Sequence, residues 1–445
     1  MKTSLQALPI TDDAPATPAS ARDVGEREGA TTGALRLLVH GVNYAPELTG
    51  IGKYTGEMCE WLARRGHDVR VVTAPPYYPE WRVGAGHTAR RYRRELRNGV
   101  IVQRCPLWVP RRPSGSRRLL HLASFAAASA PLVVAAARWR PHVVFAVEPT
   151  LFAAPAAWLA ARLSGARAWL HVQDFECDAA LALGLLPERW TRPLLAAERG
   201  LMRRFDRVST ISPNMVALLH AKGVGHERTV LFGNWVDCRD IRPEPAAGQA
   251  LRAELGIPAT TCVALYSGNM GEKQGLEIVV EAARALAREP GLLFVLCGNG
   301  GARERLERCA AGLANVRWLP LQPAERLNAL LNLADVHLLP QRADAADLVM
   351  PSKLTGMLAS GRPVLATAHR GTALEAVVSG CGVVTAPGDV AAFAQALSAL
   401  AQRGIVRRTL GLAARRYAEE QLDREAVLTR FERALLDCVT CARDR

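Results

Sequence analysis

Short apolar runs alternate with longer stretches in which apolar positions recur every three or four residues, from residue 35 to the end of the chain. The first kind fits a strand buried on both faces, the second an amphipathic helix. Residues 35–40, 69–74, 100–104, 142–147, 168–172, 207–211 and 229–232 read as strands, with a helix at about 53–65 between the first two. Around 235–250 the alternation stops at Pro243 and Pro245, and this stretch reads as an interdomain linker. It resumes with strands at 262–267, 292–297, 336–339 and 363–366 and helices from 276, at 353–359, at 390–402 and at 406–438. Two α/β units are expected, each on a mainly parallel sheet.

In such sheets ligands collect outside the carboxyl ends of the strands. The special residues of this chain cluster there: Glu148-Pro149-Thr150, His171-Val172-Gln173-Asp174 and Ser212-Pro213-Asn214. His171 and Asp174 read either as a hydrogen-bonded acid/base pair or as a satisfied strand-end histidine with a neighbour. Four stretches have the chemistry of anion sites. Gly50-Ile51-Gly52 leads into the first helix. Gly268-Asn269-Met270-Gly271-Glu272-Lys273 follows a strand and precedes a helix, and Gly298-Asn299-Gly300-Gly301 repeats that placement. Pro351-Ser352-Lys353 opens the helix at 353–359, with Ser352 as its expected N-cap. Glycine lets a ligand approach the backbone, and free N–H groups at a helix start favour a phosphate. Neither famous nucleotide motif is present. Gly50-Ile51-Gly52 begins well past its strand, and the second strand ends in Ala74-Pro75-Pro76 with no acid for a ribose. Gly52-Lys53 is followed by Tyr54, and Glu47 stands where a P-loop has its first glycine.

Charge adds a second theme. The formal net charge is +14, which suits anionic partners: nucleic acid, an anionic membrane or acidic ligands. No nucleic-acid-binding signature accompanies it, so nucleic acid is not expected. Between Arg82 and Arg140 there are thirteen Arg and one acid, Glu95. Arg90, Arg91, Arg93, Arg94 and Arg97 form one cluster, and Arg111, Arg112, Arg117 and Arg118 a second. Residues 119–137 then run almost wholly apolar, with Pro131 inside. The abundance of Ala and Ser favours a core or membrane-surface helix over a spanning one. Arginines beside such a helix suit an anionic leaflet, or are a solvated loop beside a buried helix. The ten Cys form no framework, and no secretory segment opens the chain, so reduced thiols in a cytoplasm are expected. Cys438 and Cys441 read as an incidental spacing.

Taken together, four stretches resemble the GT-B glycosyltransferases of family 4, and within it the colanic-acid type: NYAPELTGIGKYTGEMCEWLARRGHDVRVVTAPPYYPEW, HVQDFECDAALALGLL, YSGNMGEKQGLE and MPSKLTGMLASGRPV. The resemblance implies an α/β GT-B fold, two Rossmann-like domains facing an interdomain cleft. It divides the chain into a disordered extension (1–34), an acceptor domain (35–234), a linker (235–250), a donor-binding domain (251–405) and C-terminal helices crossing back to the first domain (406–445). It implies a retaining transfer from a nucleotide-sugar donor to a glycan acceptor. The acceptor is expected to be lipid-linked, the setting exopolysaccharide biosynthesis at the inner face of the cell membrane. No cofactor and no metal are expected.

By this resemblance Lys273 is the donor-diphosphate lysine, with Gly50, Gly52, Gly268, Asn269, Gly298, Ser352 and Lys353 as further donor-binding residues and His171 or Asp174 facing the acceptor. Two departures stand out. Asn269 occupies the place of a second cation often found before that lysine. The family's paired glutamates are missing, Gly356 taking the place of one and Leu348, beside Asp347, that of the other. A same-fold nucleotide-sugar epimerase and a non-catalytic membrane-associated scaffold are the alternatives this leaves.

Overall fold

The computed structural model describes residues 33–47, 50–111, 115–148, 152–175, 188–342 and 351–440, without the side chains of 188–190 and of Lys273. Apart from its last two residues the expected disordered extension lies outside that set, as do Asp347, Leu348 and Cys441.

The first unit carries β1 (Arg36–His40), α1 (Gly50–Arg64), β2 (Asp68–Thr73), β3 (Arg93–Arg97), β4 (Val100–Arg104), α2 (Gly115–Ala135), β5 (Val143–Glu148), α3 (Ala154–Ser164), β6 (Arg167–Val172), α4 (Glu188–Met202), β7 (Arg207–Thr210), α5 (Pro213–Ala221) and β8 (Thr229–Leu231). Among the described residues its strands form one sheet in the order β3-β4-β2-β1-β5-β6-β7-β8, parallel except for the β3–β4 hairpin. Central strands such as VVFAVE are buried on both faces, which is why they read as unbroken apolar runs.

The second unit follows with α6 (Pro245–Glu254), β9 (Cys262–Ser267), α7 (Glu277–Ala285), β10 (Leu292–Cys297), α8 (Arg303–Cys309), β11 (Val316–Leu319), α9 (Leu327–Leu333), β12 (Val336–Leu339), α10 (Lys353–Ala359), β13 (Val364–Thr367), α11 (Ala373–Val378), β14 (Gly382–Thr385) and α12 (Val390–Gln402). Its sheet order is β11-β10-β9-β12-β13-β14, all parallel. The structure is therefore an α/β molecule with two parallel, Rossmann-like sheets. Helix α6 begins inside the stretch read as a linker, because Pro245 suits the first turn, where its missing N–H costs nothing.

The last stretch, expected as one helix over 406–438, is two. Helix α13 (Gly404–Tyr417) passes through a π-helical turn at Ala418–Leu422 into α14 (Arg424–Thr440). Asp423 makes the break: its backbone is extended, and its carboxylate accepts from the N–H groups of Glu425 (3.1 Å) and Ala426 (3.4 Å). Helix α14 then packs on the first sheet. Phe431 stacks on Phe232 with ring centroids 3.9 Å apart and meets Phe145 and Trp169 edge-on. Polar contacts rim this seam: Trp61 Nε1 donates to Glu425 (2.8 Å), and Arg65 holds Glu432 with two bonds, at 2.8 and 3.1 Å.

Helix α2 buries a single stripe, His121, Phe125, Ser129 and Val133, against the first unit. Leu119 and Leu120 stay exposed, as do Leu159 and Leu163 of the adjoining α3. The Tyr92 hydroxyl donates to Ala128 O (2.9 Å), which fastens the Arg90–Arg94 cluster to the side of α2.

Candidate functional site

In the second sheet the chain steps outward from β9 to β10 and β11, then returns to β12 on the other side of β9. The switch point lies between β9 and β12, and the crevice outside their carboxyl ends is where this topology admits a ligand. Three elements meet at it: the loop after β9, the loop after β10 and the start of α10.

The two loops interlock. Gly268 and Gly298 have φ of 134° and 143°, which side chains rarely adopt. A Cβ on Gly298 would sit 1.9 Å from the Gly268 carbonyl oxygen. Met270 N–H donates to Asn299 O (2.8 Å), and Ala302 N–H donates back to Met270 O (2.9 Å). Arg303, opening α8, gathers the carbonyls of Gly298 and Leu319 and the side chain of Asn299. The result is a fixed cradle walled by backbone.

Lys353 reaches into this cradle from α10. A Cβ on Gly268 would lie 3.5 Å from Lys353 Cδ. Lys353 is half-buried as a residue, but its Nζ is tucked 4.1 Å from the centroid of the Tyr266 ring and donates to the Tyr266 hydroxyl (3.0 Å). That hydroxyl in turn donates to Asn269 O (2.5 Å). Burial pulls the Lys353 ammonium down to about 7. Gly268, Asn269, Gly298 and Lys353 are thus brought together. Ser352 is at the same helix start but does not cap it: its backbone is already helical and its side chain makes no cap bond, while Leu354 N–H turns back to Pro351 O (3.0 Å). Lys273 falls in a single 3₁₀ turn, Glu272–Gln274, on the same loop as the cradle, with its side chain outside the described set.

Gly50 and Gly52 belong to the first unit, at the start of α1. The Tyr54 side chain, two residues on, comes near Thr355 of α10, so this helix start adjoins the α10 side of the crevice. Gly50 has φ of 61°. Gly52 has a different constraint: a Cβ there would be 2.4 Å from Glu47 Oε2. Glu47 is buried and accepts from Tyr77 N–H (3.0 Å), Tyr78 N–H (3.1 Å) and Asn43 (2.9 Å). Gly52 therefore makes room for a carboxylate that ties down the loop after β2.

The structure does not join His171 and Asp174 as an acid/base pair. His171 lies inside the first unit, stacked on Phe145, with Nδ1 2.9 Å from Ser209 Oγ and Nε2 3.1 Å from Gln173 Nε2. The Gln173 amide nitrogen can only donate, so His171 Nε2 accepts and Nδ1 carries the proton. Burial pushes this imidazole down to about 3, which keeps it neutral at physiological pH. Asp174 follows at the strand end, half-buried.

Tyr266, Thr355 and Arg303 are site residues that the sequence reading missed. Tyr266 sits in a strand-patterned run, where an aromatic residue signals packing. Arg303 opens an ordinary amphipathic helix. Nothing local marks either.

Two family models match the chain: a glycosyl transferase 4-like domain over residues 49–235 and the glycosyl transferases group 1 over residues 261–403. The protein provisionally named colanic acid biosynthesis glycosyl transferase WcaI in Escherichia coli (strain K12) is 46% identical over 407 residues, 89% of this chain and 98% of that one. Among solved structures, a sucrose-phosphate synthase from Thermosynechococcus elongatus superposes with a TM-score of 0.68 at 18% identity, over 91% of this chain and 99% of that one. Anabaena HepE in complex with UDP-glucose superposes with a TM-score of 0.65 at 18% identity, over 90% and 99%. At these identities the two structures speak to the fold alone.

Proposed function

The chain belongs to glycosyltransferase family 4, with the GT-B fold, and from that premise we propose a retaining transfer of a sugar from a nucleotide-sugar donor to a lipid-linked glycan. The setting we propose is assembly of a colanic acid type of exopolysaccharide, at the inner face of the cell membrane. The observation that carries the reading is the cradle: two interlocked glycine loops and a lysine at the switch point of the second sheet. Backbone N–H groups and a cation in a partly dry crevice suit a diphosphate.

The chemistry follows from where charge develops. As the sugar leaves, negative charge grows on the departing nucleoside diphosphate. Lys353, Lys273 and the loop N–H groups stabilise that charge more in the transition state than in the ground state, which is what lowers the barrier. The lysines do this without a bound metal. The acceptor hydroxyl approaches from the first unit, where Asp174 follows the end of β6. His171, held neutral behind it, keeps Gln173 and Ser209 in place.

The membrane part of the proposal rests on α2. Helix α2 is apolar over most of its length, yet it is pinned to the protein along one stripe, leaving its other face outward. The exposed Arg90, Arg91, Arg93 and Arg94 lie beside it. This pairing suits peripheral attachment to an anionic leaflet.

A panel of nucleotide sugars screened for thermal stabilisation tests the reading. One or a few should raise the melting temperature, since a ligand confined to the folded form stabilises it. EDTA should leave that shift unchanged. A panel without effect refutes the donor assignment.

A further inference from the structure

The first sheet has a switch point of its own. From β1 the chain runs outward to β2 and the β3–β4 hairpin, then returns to β5 on the other side of β1. A second crevice therefore lies outside the carboxyl ends of β1 and β5. Helix α2 connects β4 to β5, so its first turns stand at that edge. There His121 meets two rings of the loop after β2: its ring centroid is 4.7 Å from that of Tyr77 and 5.2 Å from that of Trp81. Tyr78, next in that loop, is exposed and lies 3.9 Å from where a Gly50 Cβ would be. The loop thus leads from this cluster to the start of α1, which adjoins α10.

His121 is 1% exposed. Its Nδ1 lies 2.7 Å from Trp108 O, and a carbonyl only accepts, so Nδ1 carries the proton. Burial holds the imidazole below its usual range, which keeps it neutral and leaves Nε2 an acceptor. Among the described residues that enclosed Nε2 has no hydrogen-bond partner. Buried acceptors are nearly always paired, so a bare one calls for a donor from outside. Tyr77 is buried, whereas Trp81 is partly exposed and has φ of 51°, a region bulky residues seldom adopt. A ligand therefore reaches this trio past Trp81. The neighbouring residues of α2 differ in kind. Arg118 is exposed, with its guanidinium 5.5 Å from the Trp81 ring centroid, and Leu119 and Leu120 face outward. Helix α2 carries no acid to offset the arginine.

Resting on the lipid-linked acceptor of the reading above, we propose that this cluster binds the acceptor: the sugar nearest the lipid stacks on Trp81 and donates a hydroxyl to His121 Nε2, the phosphate joining sugar to lipid meets Arg118, and the lipid chain leaves over Leu119 and Leu120. Trp81 turns from His121 onto the incoming sugar, which opens Nε2. An aromatic face, one placed acceptor and one cation match the three parts of such a ligand, in the order in which they are joined. Only the sugar supplies the hydroxyl, so His121 separates a sugar-bearing lipid from a bare lipid phosphate, while Arg118 treats the two alike.

The experiment is titration of the full chain, followed by tryptophan fluorescence, with farnesyl-diphosphoryl glucose or galactose, whichever binds more tightly, and with farnesyl diphosphate as the sugar-free control. The proteins are wild type, His121→Asn, His121→Gln and Arg118→Ser, each checked for an unchanged melting temperature. Asparagine keeps a donor near the place of Nδ1 and loses Nε2; glutamine sets its amide oxygen near the place of Nε2. Wild type should bind the sugar-bearing lipid several-fold more tightly than the control. His121→Asn should weaken binding of the sugar-bearing lipid alone, by roughly two- to tenfold, and His121→Gln should keep most of it. Arg118→Ser should weaken both lipids by about tenfold or more. No preference for the sugar in wild type, or a His121→Asn protein that binds both lipids as wild type does or loses both equally, overturns the proposal and leaves the lipid-linked acceptor standing. If wild type binds neither lipid, the lipid-linked acceptor fails and the proposal with it.

Discussion

Gly298 and Lys273 show how differently residues of two interlocked loops are constrained. Gly298 is fixed by space: any side chain meets the Gly268 carbonyl at 1.9 Å, in a backbone region that adds strain of its own. Gly298→Ala should therefore cost about 2 kcal/mol or more of stability, read as a lower urea midpoint; an unchanged midpoint would mean the loops are not interlocked. Lys273 should behave in the opposite way. Lys273→Ala is expected to retain the melting temperature while losing about 1.5–3 kcal/mol of transition-state stabilisation, roughly ten- to over a hundred-fold in kcat/KM. Near-normal turnover in that variant would remove Lys273 from the site. At this scale the sequence was informative where glycine was the signal, since few uses other than close approach explain Gly268 and Gly298 after two successive strands. It was less so for Gly52, whose reason is the buried Glu47 carboxylate, a neighbour through folding. For His171 it left two readings open, because a strand-end histidine looks the same whether it faces a ligand or, as here, Phe145 and Ser209.

Strand β3 is one of the elements that pattern reading passed over, with β11 and β14. Arg93–Arg97 reads RRELR, with no apolar alternation, because β3 is an edge strand and mostly exposed. The signal that could have found it is the turn: Asn98 and Gly99 both have positive φ, 46° and 82°, and an Asn-Gly pair with these angles joins two strands directly. The long helices were legible from their periodicity, but the break at Asp423 was not, because it depends on Val236 pairing there. Helix α2 carries the membrane prediction. Each Arg near an anionic leaflet contributes on the order of 1 kcal/mol, screened by salt, and the outward apolar face of α2 adds a salt-resistant part. The protein should co-sediment with vesicles containing anionic lipid, less so at high salt, and less when Arg90, Arg91, Arg93 and Arg94 become Ser together. Equal binding to neutral and anionic vesicles, or none to either, would make this cluster a solvated surface.

For the whole molecule, α14 and the buried histidines decide stability. Phe431→Ala should cost about 3–5 kcal/mol, because it empties the contact with Phe232, Phe145 and Trp169; a loss below about 1 kcal/mol would show that α14 is only loosely attached. Burial holds His40, His171 and His337 down to about 4, 3 and 3, whereas unfolded histidine titrates near 6.5. A depressed histidine favours the fold only where it is neutral. The stability these three contribute is complete above pH 6.5 and drains away as pH falls towards 4. At pH 5 each has given up about 2 kcal/mol, 1.5 pH units at 1.36 kcal/mol each. A melting temperature that stays level from pH 7 to 5 would contradict their burial as neutral groups. The two-unit architecture was visible in the sequence because fully buried parallel strands leave unbroken apolar runs. The contact between α1 and α10 was not, because it depends on how the two sheets meet.

The central claim is that the cradle binds the diphosphate of a nucleotide sugar whose sugar passes to a separate acceptor. Release of nucleoside diphosphate from the stabilising nucleotide sugar, measured with and without a lipid-linked glycan in anionic vesicles, tests it most directly. The account predicts release that depends on the acceptor and falls at least tenfold in Lys353→Met. Turnover of donor without acceptor, or release that Lys353→Met leaves unchanged, would contradict it.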